Sequence, residues 1–422
     1  MMDLTTLTGS VYVAAQEFKS RDVLLRDRSV RIHHMATHVA SSNDEKEDGR
    51  PKTHWNKNCT MSFVDTKTYI PYKGQEQSTT PSHDTFILHN FGAYLFLYPF
   101  DDMETPVDVM QLASVPICHD FRVPMLPVQP TNLVLALASS DILVFDPLHG
   151  LDTFSHHNRK GSICDSPITA IKWVNQSHTE FVVAHESGAM YVYDQTFKDE
   201  SIESMGVEQP EGEFTLLLQH EDRTNPVSCW QVSTQALYDL AFSPNGKYIA
   251  CVGKTGLLTV FQYHMQRKIA MMQSQFGALT CLAWSPNSLY ILTGGQDDAV
   301  TLWSLQHNSA VARCESHASW ITRVAFDSWF CSQTSLRFGS VGEDGILCLW
   351  DFALPEDEVK LHELDPVLRT KVCEGPLSDI SFQASSLALS ARDGTLFVYS
   401  RPPKESFSQT VLAENVPTYS LN

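Results

Sequence analysis

Ala236-Leu-Tyr-Asp-Leu-Ala-Phe242-Ser-Pro-Asn-Gly246-Lys-Tyr-Ile-Ala250 aligns without gaps on Ala278-Leu-Thr-Cys-Leu-Ala-Trp284-Ser-Pro-Asn-Ser288-Leu-Tyr-Ile-Leu292, and its first half aligns again on Trp320-Ile-Thr-Arg-Val-Ala-Phe326-Asp327. The anchor aromatics Phe242, Trp284 and Phe326 stand about 42 residues apart each time, the mark of a chain built from stacked supersecondary units. Leu237, Leu240 and Phe242 recur as Leu279, Leu282 and Trp284, a spacing that fits a strand buried on both faces. At Ser243 to Gly246 the chain reverses, Pro244 presetting φ and Gly246 tolerating a positive one. Tyr248 to Val252 and Leu257 to Tyr263 supply two further strands around a tight turn at Gly253 to Gly256. A looser fourth strand completes a four-stranded antiparallel unit.

Downstream, Phe338-Gly-Ser340-Val-Gly-Glu-Asp344-Gly-Ile-Leu-Cys-Leu-Trp350-Asp351 resembles the closing signature of a WD repeat. Counting back places His317 before the first strand, Ser340 in the second, Asp344 in the turn and Trp350 in the third. In WD repeats these four positions form a hydrogen-bonded relay, which gives a partner to a buried carboxylate and a buried indole N–H. The unit upstream keeps Thr293, Asp297 and Trp303 and has no histidine at the matching place. Weaker copies follow over Ile168 to Asp194 and Ser381 to Tyr399, with tyrosine in the tryptophan position, and over Phe86 to Pro99 and Leu133 to Asp146.

The expected fold is therefore all-β, a seven-bladed β-propeller of the WD-repeat type. Blades fall over roughly 61–115, 116–165, 166–224, 225–275, 276–316, 317–366 and 367–405; six or eight would require a miscounted end blade. The propeller occupies 61–405. Residues 1–60 form an N-terminal extension, partly mobile around the charged run Asn43 to Asp48, and 406–422 a C-terminal tail or closing strand. Gly9 to Ala14 or Asp22 to Ile32 is the candidate for an outer strand that closes the ring and removes its open edge. Asp199 to Glu213 and Leu354 to Leu364 read as acidic, mobile inserts.

Composition agrees with a large packed core: 43% of 422 residues are apolar and 19% charged. Met1 to Ser20 lacks a basic start followed by an apolar run, and no segment approaches the roughly 18 uninterrupted apolar residues of a membrane span. The ten cysteines are scattered without a C-x-x-C pair. Zinc-ribbon and redox chemistry thus find no support, and a reducing compartment, cytosol or nucleus, is expected. A net charge of −19 repels nucleic-acid phosphate and anionic lipid, which leaves proteins, particularly ones with basic patches, as the expected partners; an acidic surface that serves solubility alone is the equal alternative.

Several non-consensus stretches point further. Cys118-His-Asp-Phe121, Ile168-Thr-Ala-Ile-Lys-Trp173, Val183 to Tyr193 and Leu240 to Cys251 together resemble the WD repeat-containing protein 20 family, which includes the dystrophia myotonica WD-repeat protein and the fungal regulator CreC. The resemblance runs from about Cys118 to Pro403 and is poor before Met61. It departs at the sixth blade, where Asp327 to Leu336 and Phe352 to Cys373 are short, and at Ser288, where a turn glycine is expected. Members of this family are activating cofactors of ubiquitin-specific peptidases, often beside a second WD-repeat activator. The resemblance implies that role here, with Phe276 (before the Gly-x-Leu strand start) and Trp320 (after His-x-Ser) as the peptidase contacts. The residues alone leave Trp320 open between that contact and packing between blades.

Chemistry of other kinds is missing from the sequence. There is no G-x-S-x-G, P-loop or glycine-rich dinucleotide turn, so no enzyme activity and no cofactor are expected. His33, His34 and His38 lack nearby ligands at metal spacing, and His156 and His157 read as loop residues. The competing class is a substrate receptor for a ubiquitin ligase or a general assembly platform. Such receptors often carry arginine directly after the Trp-Asp pair, where this chain has Phe352 after Asp351 and Leu305 after Ser304.

Overall fold

The computed structural model describes residues 19–20, 59–65, 85–100, 106–122, 132–148, 155–200, 205–208, 214–219, 223–354 and 360–400. Seven antiparallel sheets stand around a ring, and the one helical element among the described residues is a 3-10 turn at Arg159–Gly161. From the innermost strand outward, blade 4 is built of Leu237–Phe242, Tyr248–Gly253, Leu257–Gln262 and Arg267–Gln273. Blade 5 repeats it with Leu279–Trp284, Tyr290–Gly295, Ala299–Ser304 and Ser309–Glu315. The inner three strands are almost wholly buried, because each blade is packed on both faces, whereas the outer strand of blade 4 alternates exposed and buried residues. Cys251, Cys281 and Cys348 are buried in the inner strands of blades 4, 5 and 6, and burial pushes the Cys251 and Cys348 thiols up to about 12.

Two blade boundaries differ from the sequence reading. Ser228–Gln231 pairs with Ala189–Asp194 and belongs to the third blade, not the fourth. Leu368–Lys371 pairs with Ile346–Ala353 and belongs to the sixth, not the seventh. In each case the outer strand is only four residues long, too short for apolar periodicity to assign it. The described parts of the two acidic inserts include strands. Gly206–Glu208 pairs with Thr215–Leu218 beyond the third blade, and His362–Leu364 lies parallel to Ser309–Glu315 at the edge of the fifth. Ser155–His157 is the outer strand of the second blade rather than a loop. His156 Nε2 sits 2.7 Å from Asp141 and His157 Nδ1 3.0 Å from Asp199.

The ring closes between blades 7 and 1. Met61, Ile87, Phe96 and Tyr98 share a core with Ala388, Leu396 and Val398, and the Met61 N–H donates to Asp379 Oδ2 at 3.1 Å. Lys19–Ser20 adds the fourth strand of blade 7 by pairing with Tyr399 and Ser400, so the clasp falls between the two segments proposed for it. Gly9 to Ala14, Asp22 to Ile32, the histidines at 33, 34 and 38 and the tail 406–422 lie outside the described residues. Ser288, standing where glycine is expected, adopts φ 60°. Its hydroxyl accepts the Asn245 N–H of the preceding blade at 3.2 Å, a contact that glycine could not make.

Candidate functional site

Two constellations need separating, one that holds blades together and one that faces outward. In blade 6, His317 Nδ1 lies 3.0 Å from Asp344 Oδ2, His317 Nε2 lies 2.8 Å from Ser340 Oγ, and Trp350 Nε1 donates to the same hydroxyl at 3.0 Å. Burial pushes the Asp344 carboxyl up, but hydrogen bonds from His317 and from the Ala318 N–H outweigh it and hold the group below its ordinary value. In blade 5, Trp303 Nε1 donates to Thr293 Oγ1 at 2.8 Å. With no histidine available, Asp297 pairs instead with Arg313 Nη2 at 3.2 Å. Here burial outweighs the guanidinium and the Asp297 carboxyl stays above its ordinary value.

Ser340→Ala is expected to cost about 2 kcal/mol, because it leaves the buried Trp350 indole N–H and the buried His317 Nε2 both without their partner. Thr293→Ala removes the partner of one indole and should cost less. Urea unfolding of both variants checks the order, and equal midpoints would contradict it.

A second polar cluster lines the central channel, and sequence reasoning missed it. Asp239, Cys281, Arg323 and Asp379 occupy the third position of the innermost strands of blades 4, 5, 6 and 7. Arg323 bridges two of them, with Nη1 2.8 Å from Asp239 and Nε 3.3 Å from Asp379. Burial lowers the affinity of Arg323 for its proton, and the two carboxylates outweigh that effect. Each carboxylate also accepts a backbone N–H from the next blade, Asp239 from Leu282 and Asp379 from Met61. Nearby, Lys172 pairs with Asp120 at 2.7 Å, and His119 sits between the hydroxyls of Thr60 and Ser62. The signal was available: a charge at a strand position that is otherwise apolar.

Arg323→Met should cost about 3 kcal/mol, since removing one partner leaves buried charge uncompensated. Adding Asp239→Asn should recover part of it. Calorimetric melting of the single and double variants measures both, and a double variant no more stable than the single one would contradict the pairing.

Phe276 and Trp320 lie elsewhere. Phe276 precedes the innermost strand of blade 5 by three residues and Trp320 immediately precedes that of blade 6. Innermost strands run in one direction around the ring, so both residues sit on the same rim, at neighbouring blades. Phe276 is 68% exposed, held out by a turn in which Ser274 Oγ donates to its carbonyl and Gly277 takes φ 66°. Trp320 is half-buried, and its carbonyl accepts the Glu343 N–H at 3.0 Å.

The WD domain, G-beta repeat family matches residues 224–262 and 267–304. Each match takes in the outer strand of one blade and the first three strands of the next, so one sequence repeat fastens two blades. The chain is similar to the UBP9-binding protein bun62 of Schizosaccharomyces pombe, 32% identical over 252 residues, which covers 57% of this chain and 46% of that protein. It is also similar to WD repeat-containing protein 20 of Mus musculus, 31% identical over 333 residues, which covers 68% of this chain and 58% of that protein. The matches thus span about half the length of these relatives.

Proposed function

This chain belongs to the WD-repeat family that includes WD repeat-containing protein 20, and from that premise we propose that it is a non-catalytic scaffold which binds a ubiquitin-specific peptidase and raises its turnover allosterically. The observation that carries the reading is the rim at Phe276 and Trp320. A large aromatic exposed over two-thirds of its surface, next to a half-buried tryptophan on the adjacent blade, is the composition of an interface anchor. One relative is named for binding UBP9, which supports a peptidase as the partner. A second WD-repeat activator in the same assembly belongs to the same proposal.

The channel supports a non-catalytic role. Arg323, Asp239, Asp379, Lys172 and His119 each have a partner within the ring, so these polar groups are committed to structure. The ligase-receptor alternative gains nothing at the corresponding position: Phe352 is 2% exposed and packs in the core of blade 6. No described helix is long and apolar enough to cross a membrane.

Hydrolysis of a ubiquitin–fluorophore conjugate by the cognate peptidase, with and without the purified chain, tests the proposal. A rise in turnover at unchanged substrate affinity is expected. Neither binding nor stimulation would end it.

A further inference from the structure

Blade 4 differs from the rest of the ring in charge and in edge. Residues 237–276 hold four basic side chains (Lys247, Lys254, Arg267 and Lys268) against one acid, Asp239, in a chain whose net charge is −19. No other blade carries a basic excess. The same blade exposes Met265 at 70%, Ile269 at 36% and Met271 at 50%. Its outer strand Arg267–Gln273, seven residues long, is the last in its sheet and the longest bare outer strand among the described residues.

Two other blades show what such an edge accepts. The outer strand of blade 3 takes Thr215–Leu218 and that of blade 5 takes His362–Leu364. In blade 5 the added strand reads His-Glu-Leu, and its Glu363 stands opposite Arg313. Arg313 faces Thr301 across the ladder just as Met271 faces Thr259 in blade 4.

We propose that the outer strand of blade 4 is a docking edge for an extended segment of a partner protein in which acidic and apolar residues alternate. The backbone supplies the pairing. Met272 stands opposite Leu258 and the Ser274 N–H donates to the Gly256 carbonyl, so alternation along an antiparallel ladder turns the Met271 and Gln273 N–H groups away from the sheet. Added strands bind through such edges, with side chains at alternate positions supplying specificity. Apolar residues of the segment would cover Ile269 and Met271, and its carboxylates would meet Arg267 and Lys268. A second copy of this chain is a poor occupant, because edge-to-edge pairing would bring like charges together. An anionic lipid surface cannot match a row of backbone donors and acceptors. This inference does not depend on the peptidase reading.

The test is fluorescence anisotropy of the full chain with a fluorescein-labelled nine-residue peptide alternating glutamate and valine, against a counterpart alternating lysine and valine. The glutamate peptide is expected to bind at least tenfold more tightly. Met271→Pro, which removes one outward N–H and leaves the inward ladder intact, should weaken it about tenfold or more, as should the Arg267→Glu, Lys268→Glu pair. Trp329→Ala, at an exposed aromatic between the first two strands of blade 6, should leave it unchanged. Equal binding of the two peptides, or binding untouched by the paired charge reversal, overturns the proposal. So does binding to phosphatidylserine vesicles without binding to the peptide, or self-association of the chain that Met271→Pro abolishes.

Discussion

Replacing Phe276 and Trp320 together by alanine is expected to weaken peptidase binding about a thousandfold while leaving the ring folded. Truncating a central aromatic anchor costs ~2 kcal/mol or more, and two such losses approach ~4 kcal/mol, which is about three decades in Kd. The two residues differ in what else they do. Phe276 is 68% exposed, so Phe276→Ala should alter binding alone and leave the melting midpoint in place. Trp320 is half-buried, so its removal gives up packed apolar area. A modest fall in stability is therefore expected for Trp320→Ala, on the order of 1 kcal/mol. Titration calorimetry with the cognate peptidase, beside melting by circular dichroism, separates the two effects. Full-strength binding by the double variant would remove this rim from the interface.

Much of the architecture was legible because its determinants are local. The gapless match of Ala236–Ala250 on Ala278–Leu292 gives strand period, turn and blade spacing from residues that all lie within one unit. The blade 6 relay was equally legible, since His317, Ser340, Asp344 and Trp350 must answer one another's hydrogen-bonding needs. What escaped depends on contacts distant in sequence. Arg323 meets Asp239 across 84 residues, and periodicity within a strand cannot report a partner two blades away. The outer strands at Ser228–Gln231 and Leu368–Lys371 escaped for a different reason. Each is only four residues long, too short to show a two-residue period, and Leu368–Lys371 is partly exposed as well. Asp297 lies between these cases: its turn position was evident, but its use of Arg313 in place of histidine required the register of the outer strand.

Stability should fall steeply as pH drops from 6.5 toward 4. His89, His119 and His185 are buried. Burial lowers His89 and His185 to about 4 and His119 to about 3, the last helped by the positive charge of Lys172. Their unfolded value is about 6.5. Below it the unfolded chain takes up protons that the folded chain refuses, so acid favours unfolding; above it the full stability is present. Asp146 acts in the opposite sense: burial raises it to about 6, so the folded chain binds its proton first and offsets one histidine. A net difference of about two protons corresponds to roughly 3 kcal/mol lost per pH unit within the window. Urea midpoints at pH 7, 6 and 5 measure the slope, and His89→Leu should flatten it by about 1.4 kcal/mol per unit. A flat profile, or one unchanged by that substitution, would mean that these rings reach solvent and take up protons without unfolding the blades around them.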